Sequence, residues 1–179
     1  MSPHRQSPMY GESGYRRRAN DRYYTQPEVT RALLEAVSFR GRLWEPACGR
    51  GDMSKVLLGA GYEVVSTDLY NHGYAIDRTD FLKVPIAPAD VLSIVTNPPY
   101  TAVEEFIEHA LVLTAPVSGM VAMLGRHEFD CAKGRRWLFA ECLSFSKKLS
   151  LNFRPRWGAW ETAAKEKAGP RHNFAWFIW

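Results

Sequence analysis

Short apolar runs alternate with amphipathic stretches along most of the chain. Four apolar residues share one helical face and predict a helix over residues 28–37: Val29, Leu33, Leu34 and Val37. The same patterns predict helices at 53–60, 102–114 and 134–142, and strands at 41–46, 63–67, 91–96, 120–124, 149–153 and 174–179. Because strands and helices alternate, the sheet should be parallel and covered by helices on both faces. The pattern therefore predicts a doubly wound α/β fold.

Two segments lack such a pattern. Residues 1–22 are rich in Ser, Pro, Gly and Arg, which predicts a flexible arm. Residues 154–171 contain Gly, Trp and basic residues, and predict a long loop of the kind that usually has a function. The remaining pattern fits one domain over residues 23–179, since a chain of 179 residues has material for one ordinary core.

The charge of the chain is unevenly distributed around a formal net value of +4. Lys and Arg outnumber Asp and Glu in residues 1–23 and again in 131–172, whereas the middle is acidic. Basic ends suit a polyanionic partner and indicate nucleic acid. The alternative is that these charges are only a solvated surface.

Other features of the composition exclude several classes of protein. No apolar run approaches the ~20 residues that cross a bilayer, and the polar start has no secretory signature. We therefore expect a cytoplasmic protein without membrane contact. Cys48, Cys131 and Cys142 form no Cys-x-x-Cys pair and have no His at ligand spacing, so we expect free thiols and no metal.

A glycine-rich turn follows the first predicted strand. Gly49 and Gly51 let the chain turn tightly and let a ligand approach the N–H groups at the start of the next helix. Asp68 ends the second strand, close to the spacing at which an acid meets ribose hydroxyls in nucleotide-binding α/β folds. Asp80 and Phe81 follow, with a carboxylate and a ring that could contact an adenine. A dinucleotide-binding motif would have a third glycine three positions after Gly51, where this chain has Ser54, so a dinucleotide is disfavoured as the ligand of this turn.

The tetrapeptide Asn97, Pro98, Pro99 and Tyr100 directly follows the predicted strand 91–96, at the edge where open α/β sheets place their sites. The prolines fix φ and carry no N–H, so the loop is rigid and rich in acceptors. The Asn97 side-chain oxygen and the Pro98 carbonyl could accept both hydrogens of an aromatic amine and aim its lone pair at a methyl sulfonium. Tyr100 could stack on a base that has left its duplex.

These residues, in this order, resemble the amino-methyltransferase family, specifically the adenine-N6 DNA methyltransferases of bacteria and phages. The resemblance covers about residues 23–179 and implies a mostly parallel, seven-stranded sheet of the class I methyltransferase (Rossmann-like) type. It implies S-adenosylmethionine as cofactor, no metal, and methyl transfer to N6 of adenine in DNA with the tetrapeptide as catalytic element, in the cytoplasm of a bacterial or phage-infected cell. It also implies cofactor contacts from the following residues: Tyr24, Thr25, Glu45, Pro46, Ala47, Cys48, Gly49, Gly51, Asp68, Asp80, Phe81 and Asn97. Gln26 departs from the family, which normally has Thr directly before Pro.

Sequence-specific members of that family usually carry a separate target-recognition region, for which this chain has little room. Recognition should therefore be brief, degenerate or supplied by a partner. The candidate nucleic-acid contacts are Arg16, Arg17, Arg18, Arg154, Arg156, Trp157 and Trp160. The alternative is that the two tryptophans only pack the loop onto the domain.

Several other functions remain open. RNA adenine, RNA guanine N2 and protein glutamine methyltransferases share the chemistry at Asn97, although the last two usually have acid-Leu-Gly where this chain has Glu45-Pro46. A catalytically silent nucleic-acid-binding module is a further alternative. Cytosine-C5 methylation is disfavoured, because it needs a nucleophilic cysteine in the loop where this chain has Asn97.

Overall fold

The structure is a computed structural model that describes residues 24–155 and 172–179. The predicted arm, with Arg16, Arg17 and Arg18, lies outside the described residues. So does most of the predicted basic loop, with Arg156, Trp157 and Trp160.

Seven strands form one sheet with helices on both faces. The elements are α1 (Pro27–Ala36), β1 (Arg42–Glu45), α2 (Asp52–Gly59), β2 (Val64–Asp68), β3 (Asp77–Arg78), β4 (Val91–Thr96), α3 (Val103–Thr114), β5 (Met120–Arg126), β6 (Lys147–Ser150) and β7 (Phe174–Ile178). The strand order is β3-β2-β1-β4-β5-β7-β6, and β7 runs antiparallel to both of its neighbours. The pairs β1–β2, β1–β4, β2–β3 and β4–β5 are parallel. The predicted doubly wound, mostly parallel, seven-stranded sheet is confirmed.

The hydrophobic core lies in two layers, one on each face of the sheet. Adjacent residues of a strand point to opposite faces, and in β4 Ile94 packs in one layer while Val95 packs in the other. Helices α1 and α2 cover the Val95 face, where Leu33 and Leu57 are fully buried. Helix α3 covers the opposite face through Ile107. Because both faces are covered, β4 is apolar along nearly its whole length, which is why its bounds match the prediction.

Two predicted elements differ from the structure, and one strand was not predicted. Strand β3 was not predicted, because its two residues are exposed and polar. The prediction of an α-helix over 134–142 is wrong, since the chain instead forms a 3-10 helix over Lys133–Leu138 and leaves helical geometry at Phe139 (φ −123°, ψ −86°). The Phe139 ring packs against Phe177 and Trp179, so tertiary packing outweighs the local pattern.

The bounds of β6 also differ from the prediction. The prediction placed this strand at 149–153, whereas it spans Lys147–Ser150. Its register is fixed by pairing with β7, where Lys147 lies opposite Ile178 and Ser150 opposite Ala175. As an edge strand it carries lysines that an apolar pattern does not detect.

Candidate active site

The glycine-rich turn joins β1 to α2 and requires glycine at two positions. Gly49 and Gly51 have φ of +54° and +77°, a left-handed conformation that other residues rarely adopt. The Gly51 N–H donates to the Cys48 carbonyl over 2.7 Å, and the Cys48 N–H donates to the Thr67 carbonyl of β2 over 3.0 Å. The turn is therefore held closed on itself and fastened to the neighbouring strand.

Asp68, at the end of β2, fixes the turn from the other side. Its Oδ2 accepts from the Gly49 N–H and its Oδ1 accepts from the Tyr70 N–H, each over 2.8 Å. His72 Nε2 lies 3.7 Å from Oδ1. The sequence predicts a ribose contact for Asp68, but it did not reveal this second use of the carboxylate, which places two chain segments around the site.

Glu45 ends β1 beneath the turn and is only 2% exposed. Its carboxylate accepts hydrogen bonds from the Ser54 hydroxyl and the Ser54 N–H, and the Ser54 hydroxyl lies 2.6 Å from that of Ser66. The pKa of Glu45 is raised to about 8: burial is the main cause, the Ser54 hydrogen bonds oppose it, and the carboxylates of Asp52 and Asp68 add to it. Glu45 therefore holds a proton at neutral pH in this structure.

Tyr74 completes the group under the turn. Its hydroxyl hydrogen-bonds to Ser54 and Ser66, and burial raises the pKa of the phenol. Its ring lies against the Gly51 backbone so closely that a Cβ at Gly51 would come within 2.3 Å of it. No sequence pattern indicates this contact, because Tyr74 lies in a segment without periodicity between β2 and β3.

The segment before α1 ties the turn to the tetrapeptide. The Arg50 guanidinium lies over the Tyr24 ring, 3.8 Å from its centroid. The buried Thr25 accepts a hydrogen bond through its Oγ1 from the Asn97 Nδ2 over 3.2 Å. The residues predicted to close over the cofactor and the residue predicted to hold the target amine are thus in direct contact.

The tetrapeptide leaves the carboxyl end of β4, which lies between β1 and β5 in the sheet. Pro98 is buried, and the Pro99 carbonyl accepts from the Ala102 N–H over 3.0 Å, which leads the chain into α3. The half-buried Tyr100 ring lies 6.1 Å from the Phe174 ring of β7, with the two planes inclined by 30°. Strand β7 therefore supports the aromatic end of the tetrapeptide.

The pair Asp80 and Phe81 needs a correction. Phe81 is 2% exposed, and its ring packs between Trp44, at 5.1 Å, and Phe106, at 4.7 Å. A ring inside the core cannot stack on a bound adenine as the sequence suggested. Asp80, whose Oδ2 pairs with Lys83 Nζ over 2.9 Å, remains as the polar group of this pair.

Three further findings bear on the chemistry. Burial, followed by the nearby Glu45 and Asp68, raises the pKa of Cys48 to about 12, so this thiol is a poor nucleophile. Within residues 24–155 and 172–179, no three His, Cys, Asp or Glu side chains are grouped as metal ligands. None of the described helices is long and apolar enough to span a membrane.

No protein-family model and no curated protein matches the sequence. Solved structures do resemble this one, including a proposed RNA methyltransferase from Pyrococcus horikoshii, with a TM-score of 0.59, 14% identity and coverage of 89% of this chain and 87% of that one. A ribosomal protein L11 methylase from Lactobacillus delbrueckii subsp. bulgaricus has a TM-score of 0.57 at 16% identity, covering 88% and 80%. A dimethyladenosine transferase from Plasmodium falciparum has a TM-score of 0.55 at 14% identity, covering 88% and 62%. Together with the strand order, these likenesses show that the chain has the class I methyltransferase fold.

Proposed function

We propose that this protein uses S-adenosylmethionine to methylate the exocyclic N6 amino group of adenine in DNA. The observation that carries the proposal is the position of Asn97 at the carboxyl end of β4, hydrogen-bonded to Thr25 beside the glycine-rich turn. A cofactor site and an amine-binding tetrapeptide meet there, at the sheet edge where open α/β folds bind ligands.

The residues of the turn fit S-adenosylmethionine. The left-handed Gly49 adds no side chain beside the start of α2, whereas the space beside Gly51 is taken by the Tyr74 ring. The acidic Asp68 stands next to Gly49 at the end of β2. We assign the ribose contact to Asp68, the adenine amino contact to Asp80, and closure over the methionine end to Tyr24 and Thr25. When bound, the cofactor supplies a methyl group on a positively charged sulfur.

The chain's own contribution to the chemistry is to orient the amine. An aromatic amine is a poor nucleophile because its lone pair is delocalised into the ring. The bond from Asn97 Nδ2 to Thr25 orients the amide, whose Oδ1 accepts one amine hydrogen while the Pro98 carbonyl accepts the other. Held in this way, the amine would present its lone pair to the methyl group that a bound cofactor would supply on its sulfur, and the nitrogen would release a proton after receiving that methyl group. Tyr100, backed by Phe174, provides the surface on which the flipped base stacks.

The choice of adenine in DNA as the substrate has its own support, separate from that for the reaction type. It depends on the Glu45-Pro46 form of the turn and on the basic ends of the sequence. By their names, the similar structures include enzymes that act on adenosine and on a ribosomal protein, so the fold is compatible with both substrates.

The decisive experiment is transfer of a labelled methyl group to duplex DNA, single-stranded DNA, RNA and protein, followed by nucleoside and amino-acid analysis. Asn97→Ala should lower transfer on the order of 10²–10³-fold while calorimetric binding of S-adenosylmethionine persists, because the amide acts on the amine. Thr101→Ala, an exposed change beside the tetrapeptide, is the matched control and should leave the rate unchanged. A label found only on RNA or on glutamine would reject the DNA assignment, and equal loss of binding and transfer in Asn97→Ala would reject the role of Asn97.

A further inference from the structure

Basic and polar side chains gather at one edge of the sheet, beside the tetrapeptide. Strand β5 ends at Arg126, β6 ends at Ser150, and β7 begins at Phe174. In the sheet register Arg126 lies opposite Phe174, and Ser150 lies opposite Ala175. Because β5 is parallel to β4, this edge is the one from which Asn97 leaves. We define the basic ledge as Arg126, His127, Ser150, Arg154, His172 and Asn173.

Hydrogen bonds join the members of the basic ledge in pairs. Arg126 Nη1 lies 3.3 Å from His172 Nδ1, and His127 Nε2 lies 3.0 Å from Ser150 Oγ. Arg154 Nε donates to Asn173 Oδ1 over 2.9 Å. The His127 N–H also donates to the Asn173 carbonyl over 3.0 Å. These bonds hold the side chains in place as one group.

The basic ledge lies close to other basic residues of the same end of the fold. Arg135 pairs with Glu104 over 2.7 Å, and Lys148 pairs with Asp130 over 2.8 Å, so carboxylates compensate those charges. Within the basic ledge, Arg126 contacts the imidazole of His172, and the exposed Arg154 donates to the amide oxygen of Asn173. The acidic neighbour in the chain is Glu128, which is exposed. The basic ledge thus presents guanidinium groups together with hydroxyl and amide donors, the groups that bind phosphate oxygens in nucleic-acid complexes.

The basic ledge adjoins the proposed target pocket directly. Phe174 lies opposite Arg126 in the sheet, and its ring packs against the ring of Tyr100. A base stacked on Tyr100 is flanked by its own phosphates. Among residues 24–155 and 172–179, the basic ledge lies beyond Phe174 on the same sheet edge, within reach of a strand whose base occupies the pocket.

We propose that the basic ledge binds the phosphodiester backbone of the strand that carries the target base, and so positions that base on Tyr100. This inference depends on the proposed function for the identity of the pocket. It adds Arg126, His127, Ser150, His172 and Asn173 to Arg154, which the sequence already suggested as a nucleic-acid contact. The basic ledge contacts phosphates, so it adds affinity and orientation without selecting a base sequence.

The test uses the full chain and fluorescent DNA oligonucleotides, single-stranded and duplex, without cofactor and over a series of salt concentrations. Arg126→Ala and Arg154→Ala should each weaken binding several-fold and reduce the slope of log affinity against log salt by about 1. Arg126→Lys, which keeps the charge, should retain the slope. The matched control is Arg40→Ala, because Arg40 is exposed, precedes β1 and therefore lies at the opposite edge of the sheet. Unfolding midpoints show whether each variant is folded.

Methyl-transfer kinetics separate this inference from the proposed function. In an active enzyme, Arg126→Ala should raise KM for DNA and leave kcat and the affinity for S-adenosylmethionine unchanged. If Arg126→Ala, Arg154→Ala and Arg40→Ala weaken DNA binding equally, the basic ledge has no special role even if methylation proceeds. If DNA binding depends on the basic ledge but no substrate is methylated, the role of the ledge is supported and the proposed function is rejected. If the wild-type chain methylates protein and binds neither kind of DNA, the basic ledge proposal is overturned.

Discussion

Replacing Glu45 by Gln should change the pH dependence of stability in a direction that the structure fixes. The change keeps the size of the side chain and removes its ionisation. Burial raises the pKa of Glu45 from its ordinary value of 4.5 to about 8. Between these two pH values the folded chain holds a proton that the unfolded chain has released. Because the folded state binds more protons, its stability is highest below the unfolded pKa and falls as the pH rises towards 8. One pH unit corresponds to about 1.4 kcal/mol, and the whole interval to about 5 kcal/mol, as orders of magnitude.

The assay is urea unfolding of the wild type and Glu45→Gln at a series of pH values between about 5 and 9. The free energy of unfolding of the wild type, relative to Glu45→Gln, should fall by about 1.4 kcal/mol per pH unit up to about pH 8 and then level off. Glu63→Gln is the matched control, since the Glu63 side chain is 85% exposed, and it should show no such trend. A difference between wild type and Glu45→Gln that stays constant over the whole range would refute the claim that burial keeps Glu45 protonated.

Three shorter predictions concern the turn and the sheet. Gly51→Ala places a Cβ within 2.3 Å of the Tyr74 ring at a positive φ, and should lower stability by about 2–4 kcal/mol in urea unfolding; an unchanged midpoint would contradict the packing described. Asp68→Ala should weaken binding of S-adenosylmethionine in calorimetry, because it removes both the proposed ribose contact and a support of the turn, and equal affinity would count against both roles. Trp176→Phe removes the buried hydrogen bond from Trp176 Nε1 to the Val29 carbonyl and should lower the free energy of unfolding, measured in urea, by about 1–3 kcal/mol. An unchanged free energy of unfolding would show that this hydrogen bond does not stabilise the fold.

The sheet was predictable wherever burial on both faces left a continuous apolar run. β4 is the clearest case, since Val91–Thr96 was predicted to the residue. Strand β3 escaped prediction because its residues are exposed and polar, whereas the 3-10 helix over Lys133–Leu138 is set by long-range packing. The ring of Phe139 finds its place among aromatic residues that the chain supplies some 40 positions later, and no local pattern contains that information.

The candidate site shows the same division. The motifs indicated which loops would meet, and the bond between Thr25 and Asn97 joins two of them. Sequence reasoning placed the Phe81 ring in the wrong environment, because an aromatic after an acid looks the same whether its ring faces a ligand or the core. Tyr74 was missed for a related reason, since its contact with Gly51 joins an irregular segment to a turn.

The insertion of β7 between β5 and β6 has a consequence for how this molecule assembles. β7 follows every other strand in the sequence, yet it lies inside the sheet, so β5 and β6 keep unpaired edges until it docks. The glycine turn and Asn97 precede β7 in the chain. Phe174, which supports Tyr100, arrives with β7, so a chain stalled at this step would possess the proposed cofactor turn but lack one wall of the target pocket. Docking of β7 therefore completes both the sheet and one wall of the proposed target pocket.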